Sequence, residues 1–145
     1  MTSARFWCIS RDGNPEAYRM YRRHYSAKKN PRPKLRQFVG PGERLVLKGF
    51  FCKALFVWRK FIDDSGQRGV YCSVFRNESS HLSSMMIAEA MYLAWDRWPN
   101  SRLYTYINSS QVTSPNPGYC FKKAGWHFCG KTKKGLHILE AFPNL

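Results

Sequence analysis

The period of apolar positions changes once near the middle of the chain, and that change marks its central unit. Val70–Glu78 (VYCSVFRNE) is dense in β-branched and aromatic residues and follows the turn-forming segment Asp63–Gly69, which predicts a strand. From Leu82 to Trp98 the spacing becomes helical. Leu82, Met86, Ile87, Ala90, Met91, Ala94, Trp95 and Trp98 recur at threes and fours and share one face. Ser83 or Ser84 is expected to cap this helix through its hydroxyl oxygen. Between strand and helix lies Arg76-Asn77-Glu78-Ser79-Ser80-His81. Backbone N–H groups converge at a helix start with the positive end of its dipole, which suits phosphate, and Arg76 would add a forked cationic clamp. An ordinary capped connection needs the same residues. The segment lacks the glycines of a P-loop or a dinucleotide fingerprint.

The flanking pattern supplies the other elements. Arg5–Ser10 reads as a first strand, and Asn14 caps a helix with Pro15 at its first position, running to about His24 or Tyr25. The stretch 26–42 has no periodicity, three prolines and two glycines, and is expected to be loop. Glu43–Lys48 and Phe51–Phe61 form a hairpin around Gly49. After a break at Pro99-Asn100, Arg102–Asn108 is a fifth strand. Asn116-Pro117-Gly118 opens a short helix with asparagine as cap, Gly125 closes it, and His127–Thr132 and Leu136–Phe142 make a final hairpin.

Composition narrows the function classes. The 145 residues fit one compact domain, and 43% of them are hydrophobic, enough for a real core. No apolar run approaches the roughly 18 residues that span a bilayer, so no membrane partner is expected. The segment MTSARFWCIS lacks the apolar stretch of a secretory signal. Five cysteines without a C-x-x-C pair suit buried thiols in a reducing cytoplasm. Cys120, His127 and Cys129 match no common zinc spacing, so no metal is expected. The net charge of +15 points to a polyanionic partner, DNA, RNA or acidic lipid. Residues 17–42 contain no acid, and Arg22, Arg23, Lys28, Lys29, Arg32, Lys34 and Arg36 are the expected phosphate contacts of a basic loop at 26–42. Tyr18, Tyr21, Tyr25 and Phe38 interleave with these cations, as stacking on bases requires. A merely solvated cationic face is the plainer alternative.

The order strand, helix, loop, three strands, helix, strand, helix, two strands resembles the GCN5-related N-acetyltransferase (GNAT) fold across nearly the whole chain. That resemblance implies an α+β fold in a single domain, 1–145. Its sheet would be mixed but mostly antiparallel, with about seven strands flanked by helices. The family holds the pyrophosphate of coenzyme A between its fourth strand and third helix, here Val70–Glu78 and Ser83–Trp98. Val74, Phe75, Arg76, Asn77, Ser83, Ser84 and Phe121 are then the expected contacts of acetyl-CoA or another acyl-CoA. Asn116 to Trp126 (NPGYCFKKAGW) is similar to the later half of the family pattern Asn-x-x-Ala-x-x-Tyr-x-Lys-x-Gly-Phe. Two departures stand out. The Gln/Arg-x-x-Gly-x-Gly/Ala loop is replaced by Arg76 through Ser84, and Phe121 occupies the place of the tyrosine that protonates the leaving thiolate. Tyr119 would project in another direction.

The chain is more closely similar to the Mom-type phage DNA modification enzymes, a divergent GNAT branch acting on adenine. The matching residues are His24-Tyr25, Arg76-Asn77, Ser83-Ser84, Pro117-Gly118-Tyr119-Cys120-Phe121 and Gly125-Trp126. Where that branch carries an aspartate at the end of the fifth strand, this chain has Asn108. The resemblance implies catalytic roles for His24, Tyr25 and Asn108, a DNA substrate, and a phage- or prophage-encoded protein working in a bacterial cytoplasm.

Imidazole titrates near neutrality, so His24 is the expected base, its alternative being a surface histidine on a helix C-terminus. Tyr18, Tyr21, Tyr25 or Trp58 would stack on a flipped base. His81 suits a cap or solvent contact, His127 and His137 a structural role, and Trp95 and Trp98 the core. Three classes stay open. The first is a DNA-base acyl- or aminoacyl-transferase. The second is a GNAT-fold transferase for RNA, protein or a small amine, with an aminoacyl-tRNA as a further donor. The third is a non-catalytic, basic nucleic-acid-binding protein.

Overall fold

The structure, a computed structural model, describes residues 5–24, 27, 37–62, 66–110 and 116–143. In chain order its elements are β1 (Trp7–Ser10), α1 (Pro15–Arg22), β2 (Glu43–Gly49), a 3-10 turn (Phe50–Cys52), β3 (Ala54–Lys60) and β4 (Val70–Asn77). They continue with α2 (Ser83–Arg97), β5 (Leu103–Ile107), α3 (Tyr119–Lys123), β6 (His127–Lys131) and β7 (His137–Ala141). The strands form one seven-stranded sheet in the order β1-β2-β3-β4-β5-β7-β6. Only β4 and β5 pair in parallel; every other neighbour is antiparallel. This is the α+β, mostly antiparallel architecture expected from the order of elements, and it is consistent with a single GNAT-like domain.

Alternation along the strands gives the sheet two apolar faces. Trp7, Phe56, Trp58, Leu103 and Leu139 meet Met86, Ile87, Ala90 and Ala94 of α2 on one face. Val46, Leu55, Val57 and Val74 meet Ala17 and Met20 of α1 on the other. Trp58 is wholly buried, and its Nε1 donates to the Ala90 carbonyl at 3.0 Å. Its role is to join sheet and helix, which removes it from the stacking candidates. Leu82 departs from the expected apolar stripe at 63% exposure, because it precedes the first turn of α2. No helix among the described residues is long and apolar enough to cross a membrane.

Local chemistry explains most element ends. Asn14 Oδ1 accepts from the Glu16 and Ala17 amides at 3.1 and 3.0 Å, with Pro15 following as expected. α1 ends at Arg22, short of the predicted His24 or Tyr25, because the Arg23 amide already turns back to the Met20 carbonyl. The hairpin expected around Gly49 forms, but its second strand starts only at Ala54, since Phe51 and Cys52 take φ of 62° and 58°. α3 is not capped by Asn116, as predicted, but begins after Gly118 at φ 75°. A Cβ at Gly118 would stand 2.5 Å from Leu139 Cδ1, so the chain enters α3 through a position only glycine fits. Gly125 closes α3 as expected, at φ 102°.

Glu89, on the side of α2 that faces β1, accepts the Phe6 and Trp7 amides at 2.9 and 3.0 Å, and the Arg5 amide as well. One carboxylate thus satisfies the N-terminal run of an edge strand. Glu89→Ala is expected to cost about 2 kcal/mol, the size of charge-assisted hydrogen bonds lost at a part-buried site. Urea denaturation of wild type and variant measures it.

Candidate active site

The parallel pair β4–β5 is short. It runs only from Val70–Leu103 to Cys72–Thr105, where Thr105 Oγ1 donates to the Cys72 carbonyl at 2.8 Å. Beyond that rung the strands part. On its other side, β4 carries a bulge: Trp58 pairs with Cys72 and Val57 with Val74, leaving Ser73 as the extra residue. A bulge leaves its extra residue outside the ladder and bends the strand locally. Fork and bulge coincide.

The fork encloses a cavity of about 160 Å³ lined by Ser73, Val74, Phe75, Cys120 and Phe121, with His24 entering from the end of α1. His24 is 9% exposed, not the surface histidine weighed from sequence. Burial foremost, and then the Arg76 charge, push its imidazole down to about 4, partly offset by a hydrogen bond with the Phe75 backbone. His24 is therefore neutral at physiological pH and able to accept a proton.

The same shift ties folding to pH. The folded imidazole binds its proton less tightly than the unfolded one, with its ordinary value of 6.5, so protonation favours unfolding. Stability is expected to fall as pH drops from about 6.5 to about 4, by about 2–3 kcal/mol, and His24→Gln should lose this segment of the profile. Glu78, held down to about 2 by hydrogen bonds from Arg23 and Arg76, adds a further loss below pH 4.5 in both proteins. Denaturation across this pH range separates the two.

A second cavity, of about 480 Å³, lies at the start of α2 and shares Cys120 with the first. Asn77 builds its wall. The Asn77 Nδ2 donates to the His81 carbonyl and to Ser83 Oγ, both at 2.9 Å, while its Oδ1 accepts from the Ser79 amide. This engages the Ser83 hydroxyl, and the expected serine cap does not form: Leu82 is the N-cap, with no side-chain hydrogen bond. The Met85 amide turns back to the Leu82 carbonyl, and the Ser83 and Ser84 amides are left for another acceptor, with Ser80, Ser84 and the cation of Lys123 around the same space. This donor set suits an anionic group.

The structure brings together His24, Val74, Phe75 and Phe121 in the first cavity, and Asn77, Ser83 and Ser84 in the second. It does not bring Arg76 to the α2 N-terminus. Arg76 pairs with Glu78 and donates to the Arg23 carbonyl at 2.6 Å, so the expected phosphate clamp is instead a brace beside His24. Asn108 Oδ1 is engaged by the Ser110 amide and hydroxyl in a local turn, and Asn108 lines neither cavity. Arg23 is ion-paired with Glu78, Arg22 is exposed, and Tyr21 stacks on Phe38 with ring centres 4.9 Å apart. Tyr25, Lys28, Lys29, Arg32, Lys34 and Arg36 lie outside the described residues.

No protein-family model and no curated protein matches the chain. The site therefore rests on its own geometry. Tyr119 and Phe121 line different cavities, as their separation by two residues predicts. His127, far more exposed than a core residue, pairs with Glu140 at 3.0 Å, while the His137 ring packs edge-on against Phe128. Among the described residues no group of three or more His, Cys, Asp or Glu side chains is placed to hold a metal.

Ser73, Thr105 and Lys123 escaped the sequence reading. The run VYCSVF reads as unbroken strand, and only its register against β3 reveals the bulge at Ser73. Burial raises the Cys120 thiol above its ordinary value, so it stays protonated between the two cavities rather than acting as a nucleophile.

Proposed function

We propose that the protein is a GNAT-like transferase that moves an acyl or aminoacyl group onto a nucleobase amine, with adenine in DNA as the preferred target. The observation that carries this reading is the fork itself. A buried, neutral His24 faces a cavity at the point where β4 and β5 separate, and an anion-suited cavity at the α2 N-terminus adjoins it across Cys120. Bound acyl-CoA would supply the acyl group as an activated thioester. The Ser83 and Ser84 amides, the Ser84 side chain and Lys123 hold its phosphates. Val74, Phe75 and Phe121 exclude water from the fork. The Ser73 bulge leaves backbone polar groups where charge on an acyl oxygen would develop. As the amine nitrogen bonds to the acyl carbon the thioester C–S bond would break; His24 accepts the proton that the amine sheds, and the departing thiolate would take up that proton. A nucleobase amine becomes strongly acidic as its nitrogen bonds to carbon, so a base held near 4 is strong enough. The target base must leave the helix to reach a site this enclosed. By resemblance, the setting is a bacterial cytoplasm and the source a phage or prophage.

Calorimetry with coenzyme A tests the donor site: micromolar binding weakened in Lys123→Glu supports it. No binding at millimolar ligand removes acyl-CoA and leaves a tRNA-borne donor. Nucleoside digestion and mass analysis of DNA from expressing cells tests the acceptor. A second reading, a nucleic-acid-binding protein without catalysis, is favoured by Phe121, which carries no phenol at the place where the family's tyrosine protonates the leaving thiolate. Unmodified DNA, RNA and protein with intact nucleic-acid binding would select it.

A further inference from the structure

The face of the sheet that carries α1 is left open farther along. α1 packs against β3 and β4. On β5, Leu103 and Ile107 belong to the core under α2, so Tyr104 and Tyr106 occupy the α1 side of the sheet. There a groove of about 970 Å³ runs between the end of β3 and the β6–β7 turn, bounded by Arg59, Phe61, Tyr106, Lys131, Lys133 and Lys134.

Three features define its occupant. Charge is the first. Arg59, Lys131, Lys133 and Lys134 line the groove, and no acid does so among the described residues. Arg23, Arg44, Arg76, Arg97 and Arg102 are each ion-paired, whereas none of the four groove cations has a carboxylate partner among the described residues. Arg59 instead donates to the Pro41 carbonyl and lies 4.0 Å over the Phe61 ring, which fixes its position without neutralising it. Rings are the second feature. Phe61 and Tyr106 line the groove, and Tyr106 is braced by Tyr71 and Tyr104 with ring centres 5.2 and 5.8 Å away. Position is the third: Tyr106 lines both this groove and the His24 cavity.

We propose that the groove holds a single nucleic-acid strand, its phosphates on Arg59, Lys131, Lys133 and Lys134, and that Tyr106 stacks on the base presented to the fork. Cations spaced along a channel with an aromatic platform are what a phosphodiester strand requires, and stacking accepts any base. The assignment of that base as acceptor rests on reading the fork as the transfer site. Its four cations are none of the lysines and arginines named for the basic loop at 26–42.

Fluorescence anisotropy with a short labelled oligothymidine tests it, using the full-length protein without donor. The triple variant Lys131→Gln/Lys133→Gln/Lys134→Gln should bind about tenfold or more weakly, and its log–log salt slope should be shallower by about 2, three single-strand contacts fewer. All three lysines are exposed, so circular dichroism and melting should be unchanged. Tyr106→Leu should weaken binding of oligothymidine but not of an abasic oligomer of equal length. An unchanged slope in the triple variant overturns the proposal, as does a Tyr106→Leu protein that binds both oligomers like wild type. Polyglutamate competing as well as oligothymidine overturns it in favour of an acidic protein tail. Because these are binding readouts, a failure to modify DNA would undo the DNA transferase reading and leave the strand site standing.

Discussion

His24→Ala is expected to lower the rate of base modification by about 10²–10⁴-fold, the range for removing a positioned proton acceptor, with coenzyme A affinity changed less than about twofold. The separation follows from geometry: His24 lines the fork cavity but not the cavity at the start of α2. A merely structural histidine would act differently, lowering stability and leaving the turnover of folded enzyme intact. The pH profile of kcat supplies a second readout. With the imidazole pushed down to about 4, the acid limb of the wild-type profile should lie near that value rather than near 6.5. Arg76→Gln should move the limb upward, because it removes a positive charge that disfavours protonation. Single-turnover assays on DNA measure both. Wild-type turnover in His24→Ala would make the residue a wall of the cavity and nothing more.

Trp58→Ala should be the most destabilising single truncation in the core, at about 3–5 kcal/mol. Trp58 is fully buried between Phe56, whose ring centre is 4.6 Å away, and Trp126, stacked at 6.2 Å. Its Nε1–H also satisfies the Ala90 carbonyl of α2. The substitution removes a large apolar volume and leaves a helix carbonyl without that donor, in a region where three aromatic rings cannot all collapse inward. A lower urea midpoint at an unchanged m-value is the expected signature. Trp58→Phe keeps most of the volume and should recover more than half of the loss.

The element order was legible because each element has a local cause. Asn14-Pro15 starts α1, threes and fours mark α2, and Gly125 ends α3, all readable within a few neighbouring residues. The burial of Met86, Ile87, Ala90, Met91 and Ala94 was written in the same spacing. The candidate site was legible only in part. His24, Phe75 and Phe121 line one cavity, but Arg76 and Asn108 do not join them. Both are polar groups with a nearer partner. Glu78, two residues on, draws the Arg76 guanidinium toward α1, and Ser110 draws the Asn108 amide into its own turn. Residue type predicts that a polar side chain will find a partner, not which one wins.

The serine cap shows the same limit at one atom. Ser83 has the right type and place, yet Asn77 Nδ2 reaches its hydroxyl first, and the α2 amides stay uncapped. That competition spans a loop between two elements, so it depends on how β4 delivers Asn77 to the helix start. Charge, periodicity, helix starts and turn glycines act over a handful of residues and are carried by the chain itself. The fork between β4 and β5, the bulge at Ser73, the neutral state of His24 and the meeting of Arg59 with the lysines of the β6–β7 turn arise otherwise. Each depends on register and burial between segments far apart in sequence, quantities that come into being only when the sheet assembles.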